Sequence, residues 1–594
     1  MWFKQLRISK NLSVEFRKIF TLAWPLILIN VTRSSNPIVT TAFCGHLDRT
    51  SLAAATLATS FINVFGLSIV TGLCAACDTL FPQVFGSSNK KKLGIVLQRS
   101  LIILSLSLLV IYTLWFNCGA LLLVLFRQNI DVVSILRLFS NILLYRLTDT
   151  FIINAIPSLM GQLYFLILQK YLQAQGNVIP AAIIGLIGNG INALLCYLFL
   201  FVFKWGLTGA AWASNISFCF LPVATLVYIK WKKVHLSTWD GWSQDLFLDW
   251  FSYMKLATAG VVMLCIEWWS FEVYTIAAGL LGTVALGAQG ALVNTLLFLF
   301  VVCLGIGDAA TVRVGNELGS NNPTGARRAA LAALFLSSVS VVILFSIVMA
   351  TKDVLARAFT TDKEVIVLAA TLYPFVAACH IFDGTQCICG GIIKGIGIQR
   401  LGAIANFLGY CVFAIPIGLV LTFSAHMGLK GKNDAKNLGI ISLWIGSLTG
   451  LSLQMLFDFI ILARVNWENQ AKLAMERSRD DTLNLSTSNS ENDIEMDEVQ
   501  KDIINKDVAA NDTETLINSN ENIEQDVQVI VRSNKDPWNL ILKRRVITTI
   551  FIAAVFAVGL TLRFTVSNQI LRSTNDSQPV TEIPILNTTG AFNV

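Results

Sequence analysis

The chain has 594 residues, of which 55% are hydrophobic and only 14% charged, with a mean hydropathy of +0.65. A soluble globular chain is about 25% charged, so too few polar side chains remain here to cover a water-facing surface. The composition excludes a cytosolic enzyme with one oversized core and implies a polytopic membrane protein whose main solvent and partner is the lipid bilayer. The formal net charge of +7 hides an asymmetry: residues 465–540 carry 17 acidic and 7 basic side chains, and the remainder carries 20 and 37. The basic excess sits in short loops between apolar runs, where membrane insertion and anionic lipid place it, which argues against a nucleic-acid partner.

Residues 1–18 contain Lys4, Arg7, Lys10, Arg17 and Lys18 without a cleavage pattern, which reads as a cytoplasmic N-terminus rather than a signal peptide. Apolar stretches long enough to span follow near 19–43, 53–81, 93–117, 133–169, 178–203 and 207–230, an N-terminal lobe over 19–235. Six more lie near 252–279, 284–310, 328–350, 364–389, 400–424 and 438–463, a C-terminal lobe over 250–464. Residues 465–540 are rich in Asn, Asp, Glu and Ser and read as a disordered cytoplasmic linker. A thirteenth span near 541–564 then leads to an extracellular tail, 565–594. No segment alternates with period two, so the expected class is all-α, twelve helices in two six-helix lobes plus one.

Orientation follows from basic residues. Lys90-Lys91-Lys92, Lys230, Lys232, Lys233, Arg313, Arg327, Arg328 and Lys543-Arg544-Arg545 all fall on the cytoplasmic side under one assignment. Lys430, Lys432 and Lys436 go against it. With thirteen spans the C-terminus lies outside, where Asn575 and Asn587 open glycosylation acceptor patterns. Most of the twelve cysteines lie in apolar runs, so Cys74-Ala-Ala-Cys77 reads as packing rather than redox chemistry.

The most specific feature is an internal repeat. Gly45, Leu52-Ala-Ala-Ala, Gly72 and Phe85-Gly-Ser-Ser-Asn89 recur as Gly279, Leu286-Gly-Ala-Gln, Gly305 and Leu318-Gly-Ser-Asn-Asn322. A weaker echo relates Gly176 and Gly188 to Gly397 and Gly409. Each half has an even number of spans, so the repeats are parallel and related by an axis along the membrane normal. That is the architecture of a transporter whose halves rock around a fixed site.

The same residues carry a family resemblance. Phe43-Cys-Gly-His-Leu, Gly72-Leu-Cys-Ala-Ala-Cys-Asp-Thr-Leu, Leu97-Gln-Arg-Ser, Trp239-Asp-Gly-Trp-Ser, Met263-Leu-Cys-Ile-Glu-Trp-Trp-Ser-Phe-Glu and Arg313-Val-Gly-Asn-Glu-Leu-Gly resemble the multidrug and toxin extrusion (MATE) family, over about residues 18–465. Animal members, which it resembles most, have an extra C-terminal helix. The resemblance implies an antiporter in the plasma membrane that expels organic cations in exchange for protons. Sodium coupling, a lipid or glycolipid flippase and a channel of similar architecture remain alternatives, and the oligomeric state is open. No phosphate-loop, dinucleotide or metal-ligand pattern occurs, so neither enzyme chemistry nor a cofactor is expected.

Seven acidic residues fall within spans: Asp78, Asp149, Glu267, Glu272, Asp308, Asp383 and Asp458. A mid-membrane carboxylate costs roughly 2.5 kcal/mol or more and needs a proton, a cation or water. A group that holds either a proton or a cation, and hardly both, performs exchange. Glu267 is the leading candidate, beside Trp268 and Trp269, whose aromatic faces attract organic cations, with Tyr274 two turns on. Glu272 lies about 140° round the helix from Glu267. The resemblance adds roles for Glu267, Glu272 and Asp383, the last one methylene shorter than the glutamate usual in animal members. Asn294 stands where animal relatives often have a glutamate and cannot carry a proton, although its amide can line a cleft. Gln289 and Asn63 are expected lining residues, and Asp78 either a transport or a helix-end residue. Arg33 is a surprise in mid-span: a structural ion pair is the favoured reading, a cation that repels cations or pairs with a carboxylate the alternative. Arg146 and Asp149 fall in a stretch longer than the family spacing, which blurs the boundaries of the fourth span.

Overall fold

The computed structural model describes residues 10–118, 146–360, 362–424 and 432–478, together with 555 and 557. The expected thirteenth span and the tail that carries Asn575 and Asn587 lie outside the described residues, apart from those two positions.

Among the described residues there is no strand, and twelve long helices follow the predicted order. In the first lobe these are α1 (Lys10–Gly45), α2 (Thr50–Gly86), α3 (Lys92–Phe116), α4 (Arg146–Asn154 and Ile156–Ala174, bent by 42° between them), α5 (Ile179–Val202) and α6 (Gly206–Trp231). In the second they are α7 (Trp250–Leu281), α8 (Thr283–Gly319), α9 (Pro323–Phe359), α10 (Lys363–Ile396), α11 (Gln399–Phe423) and α12 (Lys432–Ala463). Ten of these are long and apolar enough to cross a membrane singly, and the bent α4 does so as a pair. The polar middle of α1 (Asn30, Arg33, Asn36) leaves it outside that count. The helix starts carry local signals: the Asp48 carboxylate caps α2 by accepting from the Ser51 amide at 2.7 Å, Asn322 caps α9 through the Gly325 amide at 3.0 Å, and Asp362 caps α10 through the Glu364 amide at 2.9 Å.

The sequence repeat is a structural repeat. Gly176 and Gly397, matched in sequence, both take the left-handed backbone (φ 75° and 87°) just beyond α4 and α10. The two lobes meet through repeat-related glycines. A Cβ on Gly72 of α2 would lie 2.5 Å from the Cα of Val261 on α7, and one on Gly305 of α8 would lie 2.5 Å from Ile27 of α1. Each lobe's second helix thus packs on the other lobe's first, which a two-fold axis along the membrane normal requires. Backbones this close are possible only where no side chain intervenes.

The lobes are sealed at one end. At the end of α2 and α8 that leads into the basic loops, the Gln83 amide donates to the Gly395 and Ile396 carbonyls at 2.9 and 3.2 Å. Thr79 donates to the Lys394 carbonyl at 2.6 Å, and Gln399 donates to the Ala75 carbonyl at 3.2 Å. A Cβ on Gly319 would lie 1.9 Å from the Gln83 carbonyl oxygen. Further up, Trp269 and Cys265 of α7 reach the first lobe, at the Val64 carbonyl and the Ser68 hydroxyl. In the Thr50 half of α2, the Val64 carbonyl is the one group that takes such a cross-lobe bond among the described residues.

The expected disordered linker does not begin at residue 465. A helix, α13 (Trp467–Ser478), folds back against the sealed end. Its Ala471 and Ala474 are buried, and Arg477 donates to the Gln83 amide oxygen at 3.1 Å and to the Ile396 carbonyl at 3.2 Å. Two alanines and an arginine three residues apart make one helical face. A reading by acidic composition over 76 residues averages such a face away. The Trp239-Asp-Gly-Trp segment, between the lobes, is held as a structural strap. Gln98 of α3 donates to the Gly241 carbonyl at 2.6 Å and accepts from the Ser243 amide at 3.1 Å.

Candidate functional site

Two of the predicted acids come together inside the second lobe. Glu267 of α7 and Asp383 of α10 are 7% and 1% exposed and within electrostatic reach of one another, and Glu267 is also within reach of Lys394. Gln386, one turn after Asp383, donates to Asp383 Oδ1 at 3.3 Å and stands beside Glu267 as well. The amides are locked from behind. Gln454 of α12 donates to Gln386 Oε1 at 2.9 Å and to Asn406 Oδ1 at 2.7 Å, and Asn406 donates to the Met263 carbonyl at 2.9 Å. The last bond fixes α7 one turn before Glu267. Tyr410, buried in the π turn of α11 (Phe407–Ala414), places its ring against Phe271 and its charge-sensitive hydroxyl near both acids. That hydroxyl has no partner.

Asp458 of α12 is a member of this group that the candidate residues omitted, although it was one of the seven acids within spans. It is 1% exposed, neither of its oxygens has a hydrogen-bond partner among the described residues, and it lies within electrostatic reach of Glu267. A carboxylate in such surroundings needs a proton or a cation to neutralise it. The signal was available: Asp458 is the only acid in its apolar run, but nothing in the sequence says which helix faces it.

The other predicted residues disperse. Glu272 is half-buried, has no hydrogen-bond partner among the described residues and lies off the Glu267 face, as the helical angle requires. Trp268 is half-buried on α7. Trp269 is 41% exposed and turns to the first lobe, where its indole donates to the Val64 carbonyl at 3.2 Å and its ring lies 6.2 Å from Phe65. Tyr274 packs on Gly418 of α11. Gln289 accepts from the Trp444 indole at 3.0 Å, and Asn294 is exposed with its amide on its own helix, at the Gly290 carbonyl. Asn63 opens the π turn of α2 (Asn63–Leu67), a wide turn that lets α2 bulge at mid-span.

Asp78 sits in the first lobe, 6% exposed, in an ion pair with Lys170 of α4, itself 8% exposed. Asp308 of α8 accepts from Asn30 of α1 at 3.1 Å, so a second acid is committed across the lobe boundary. Arg33 forms no ion pair among the described residues, contrary to the favoured expectation. Its guanidinium donates to the Thr71 hydroxyl at 3.2 Å. Among the described residues no cluster of His, Cys, Asp and Glu could hold a metal ion.

A twelve-helix bundle of two parallel repeats, sealed at one end and holding a group of buried acids in its second lobe, defines a membrane transporter of the rocking type. The MatE family model matches residues 25–198 and 260–420. The mouse Multidrug and toxin extrusion protein 2 is 37% identical over 471 residues, 79% of this chain and 78% of that one. Human Multidrug and toxin extrusion protein 1 is 36% identical over 460 residues, 77% and 76% of the two chains. The crystal structure of the eukaryotic MATE transporter AtDTX14 superposes with a TM-score of 0.72 at 27% identity, covering 79% of this chain and all of that one. A Vibrio cholerae MATE transporter in the bent form gives 0.64 at 17% identity, which bears on the fold alone. The chain belongs to the MATE family: it is a multi-pass multidrug and toxin extrusion transporter, not an enzyme.

Proposed function

We propose that the chain is a proton-coupled antiporter of organic cations in the plasma membrane, with its basic loops in the cytoplasm. In that orientation the sealed end is cytoplasmic and the conformation faces outward. The carrying observation is the pair Glu267 and Asp383, buried side by side and sharing Gln386. Two acids in a low-dielectric site repel each other when both are charged, so one proton is held most readily where no cation is bound. A proton entering from outside displaces cargo. The lobes then rock, opening the Gln83–Gly395 seal. An organic cation loading from the cytoplasm neutralises the same acids and releases the proton inward. Asp458, within electrostatic reach of Glu267, can extend this acidic surface, and Trp268 offers an aromatic face to the cation.

The test is uptake of radiolabelled tetraethylammonium into proteoliposomes under imposed gradients. An outward proton gradient should drive accumulation with equal sodium on both sides. Accumulation that follows a sodium gradient and ignores pH would replace the coupling ion.

A further inference from the structure

Arg33 is the feature that the exchange scheme leaves unused. It projects from the middle of α1 into a cavity of about 30 Å³ wholly within the first lobe, walled by α1, α2, α4, α5 and α6. That volume accepts a pair of waters or one small polar head, not a whole drug. Its polar lining includes Arg33, Asn36, Thr71, Gln162, Gln169 and Asn189. Among the described residues Thr71 is the one hydrogen-bond partner of the guanidinium, through a single nitrogen. Gln169 is 4% exposed, and its amide oxygen has no partner. Asn36 is 2% exposed, with its amide nitrogen on Ser217 at 3.3 Å and its oxygen unpaired. The two nearby acids are engaged elsewhere, Asp78 by Lys170 and Asp308 by Asn30. Neither lies within ion-pair distance of Arg33.

A guanidinium that meets one hydroxyl at mid-membrane leaves most of its five donors unused and its charge unbalanced. The Gln169 amide can turn to offer its N–H groups to a guest that accepts, whereas the Asn36 amide stays on Ser217, whose own hydroxyl is committed to the Gly188 carbonyl. We propose that this cavity is an anion subsite that takes one carboxylate-sized group, either the carboxylate of a zwitterionic substrate or a free small anion. Planar, forked donors suit a carboxylate in particular. The inference deepens the transport reading above and rests on it only for the zwitterion arm.

The test uses the full-length chain in lipid nanodiscs, unfolded thermally in matched acetate, chloride and isethionate, whose sulfonate head is larger than a carboxylate, with tryptophan fluorescence as readout. The wild type should unfold roughly 3 °C higher in acetate or chloride than in isethionate, and Arg33→Gln should show no difference. Counterflow in proteoliposomes separates the two occupants, with tyrosine and its decarboxylated counterpart tyramine as probes. If a substrate carboxylate occupies the site, Arg33→Gln lowers tyrosine counterflow about tenfold and keeps tyramine within about twofold. If a free anion does, wild-type tyramine counterflow falls in isethionate, and Arg33→Gln abolishes that dependence. Should Arg33→Gln fail to reach the membrane, Gln169→Glu supplies a carboxylate in the same cavity and should remove the anion dependence of unfolding. Anion-independent unfolding of the wild type, with an unchanged tyrosine-to-tyramine ratio in Arg33→Gln, overturns the proposal. Loss of tyramine counterflow in the wild type would count against the antiporter reading instead, and the unfolding arm would still decide the subsite.

Discussion

Replacing Asp78 by Asn separates a transport role from a structural one. Asp78 and Lys170 are 6% and 8% exposed and form one ion pair between α2 and α4. Removing one partner of a buried pair strands the other charge, at a cost of about 3–5 kcal/mol, whereas replacing both by apolar groups is often neutral. If the first lobe unfolds as a unit of about 220 residues, each kcal/mol moves its midpoint by roughly 2–4 °C, so Asp78→Asn should lower it by roughly 6–20 °C. Asp308, within electrostatic reach of Lys170, places the effect toward the lower end. The double variant Asp78→Leu/Lys170→Met should recover most of that loss and still exchange cations. The assay is fluorescence-detected thermal unfolding of the purified protein, paired with tetraethylammonium counterflow. An Asp78→Asn protein of wild-type stability that no longer exchanges would refute the structural assignment and return Asp78 to the transport site.

Other outcomes follow from the same geometry. Asp383→Asn should lower proton-driven exchange by at least about tenfold, a loss of roughly 1.4 kcal/mol, with surface expression unchanged. Arg477→Ala removes two hydrogen bonds that close the sealed end. Amide hydrogen exchange along residues 75–86 should then accelerate about tenfold or more, since a bond to a charged donor is worth about 1.5–3 kcal/mol; unchanged protection would make α13 a bystander. Glu15, on α1 ahead of the span, is raised by burial but held below its ordinary pKa by the hydrogen bonds and charges of Lys18 and Arg313 together. Its contribution to stability is therefore complete above a pH of about 4.3 and is lost as pH falls below that, toward the folded-state value. Glu15→Gln should flatten that acid limb of the stability profile and leave the alkaline side alone.

The fold was largely legible because hydrocarbon imposes a length on every helix and the duplication imposes an order on all of them. Predicted and observed spans differ mostly by extra turns at the ends, as in α1 and α9, where polar helical residues continue past the apolar run. The pairing of Glu267 with Asp383 was legible as two acids but not as neighbours, because helical spacing orders side chains within a helix and says nothing about which helices face each other. For the same reason Asp78 and Lys170, 92 positions apart, gave no sign of their ion pair, and Gln289 looked like a lining residue until the Trp444 indole claimed its oxygen. Arg33 was conspicuous in the sequence, yet only the packing of α1 against α2 shows that it meets a hydroxyl and no acid.

The most direct measurement of the central claim is proton release on cargo binding. Purified protein in weakly buffered detergent at neutral pH, with a pH-sensitive dye, should release protons when tetraethylammonium is added, in proportion to the cation bound. Glu267→Gln should bind less cation and release none. Full tetraethylammonium binding by the wild type with no proton released would contradict the exchange of proton for cation at a shared buried carboxylate.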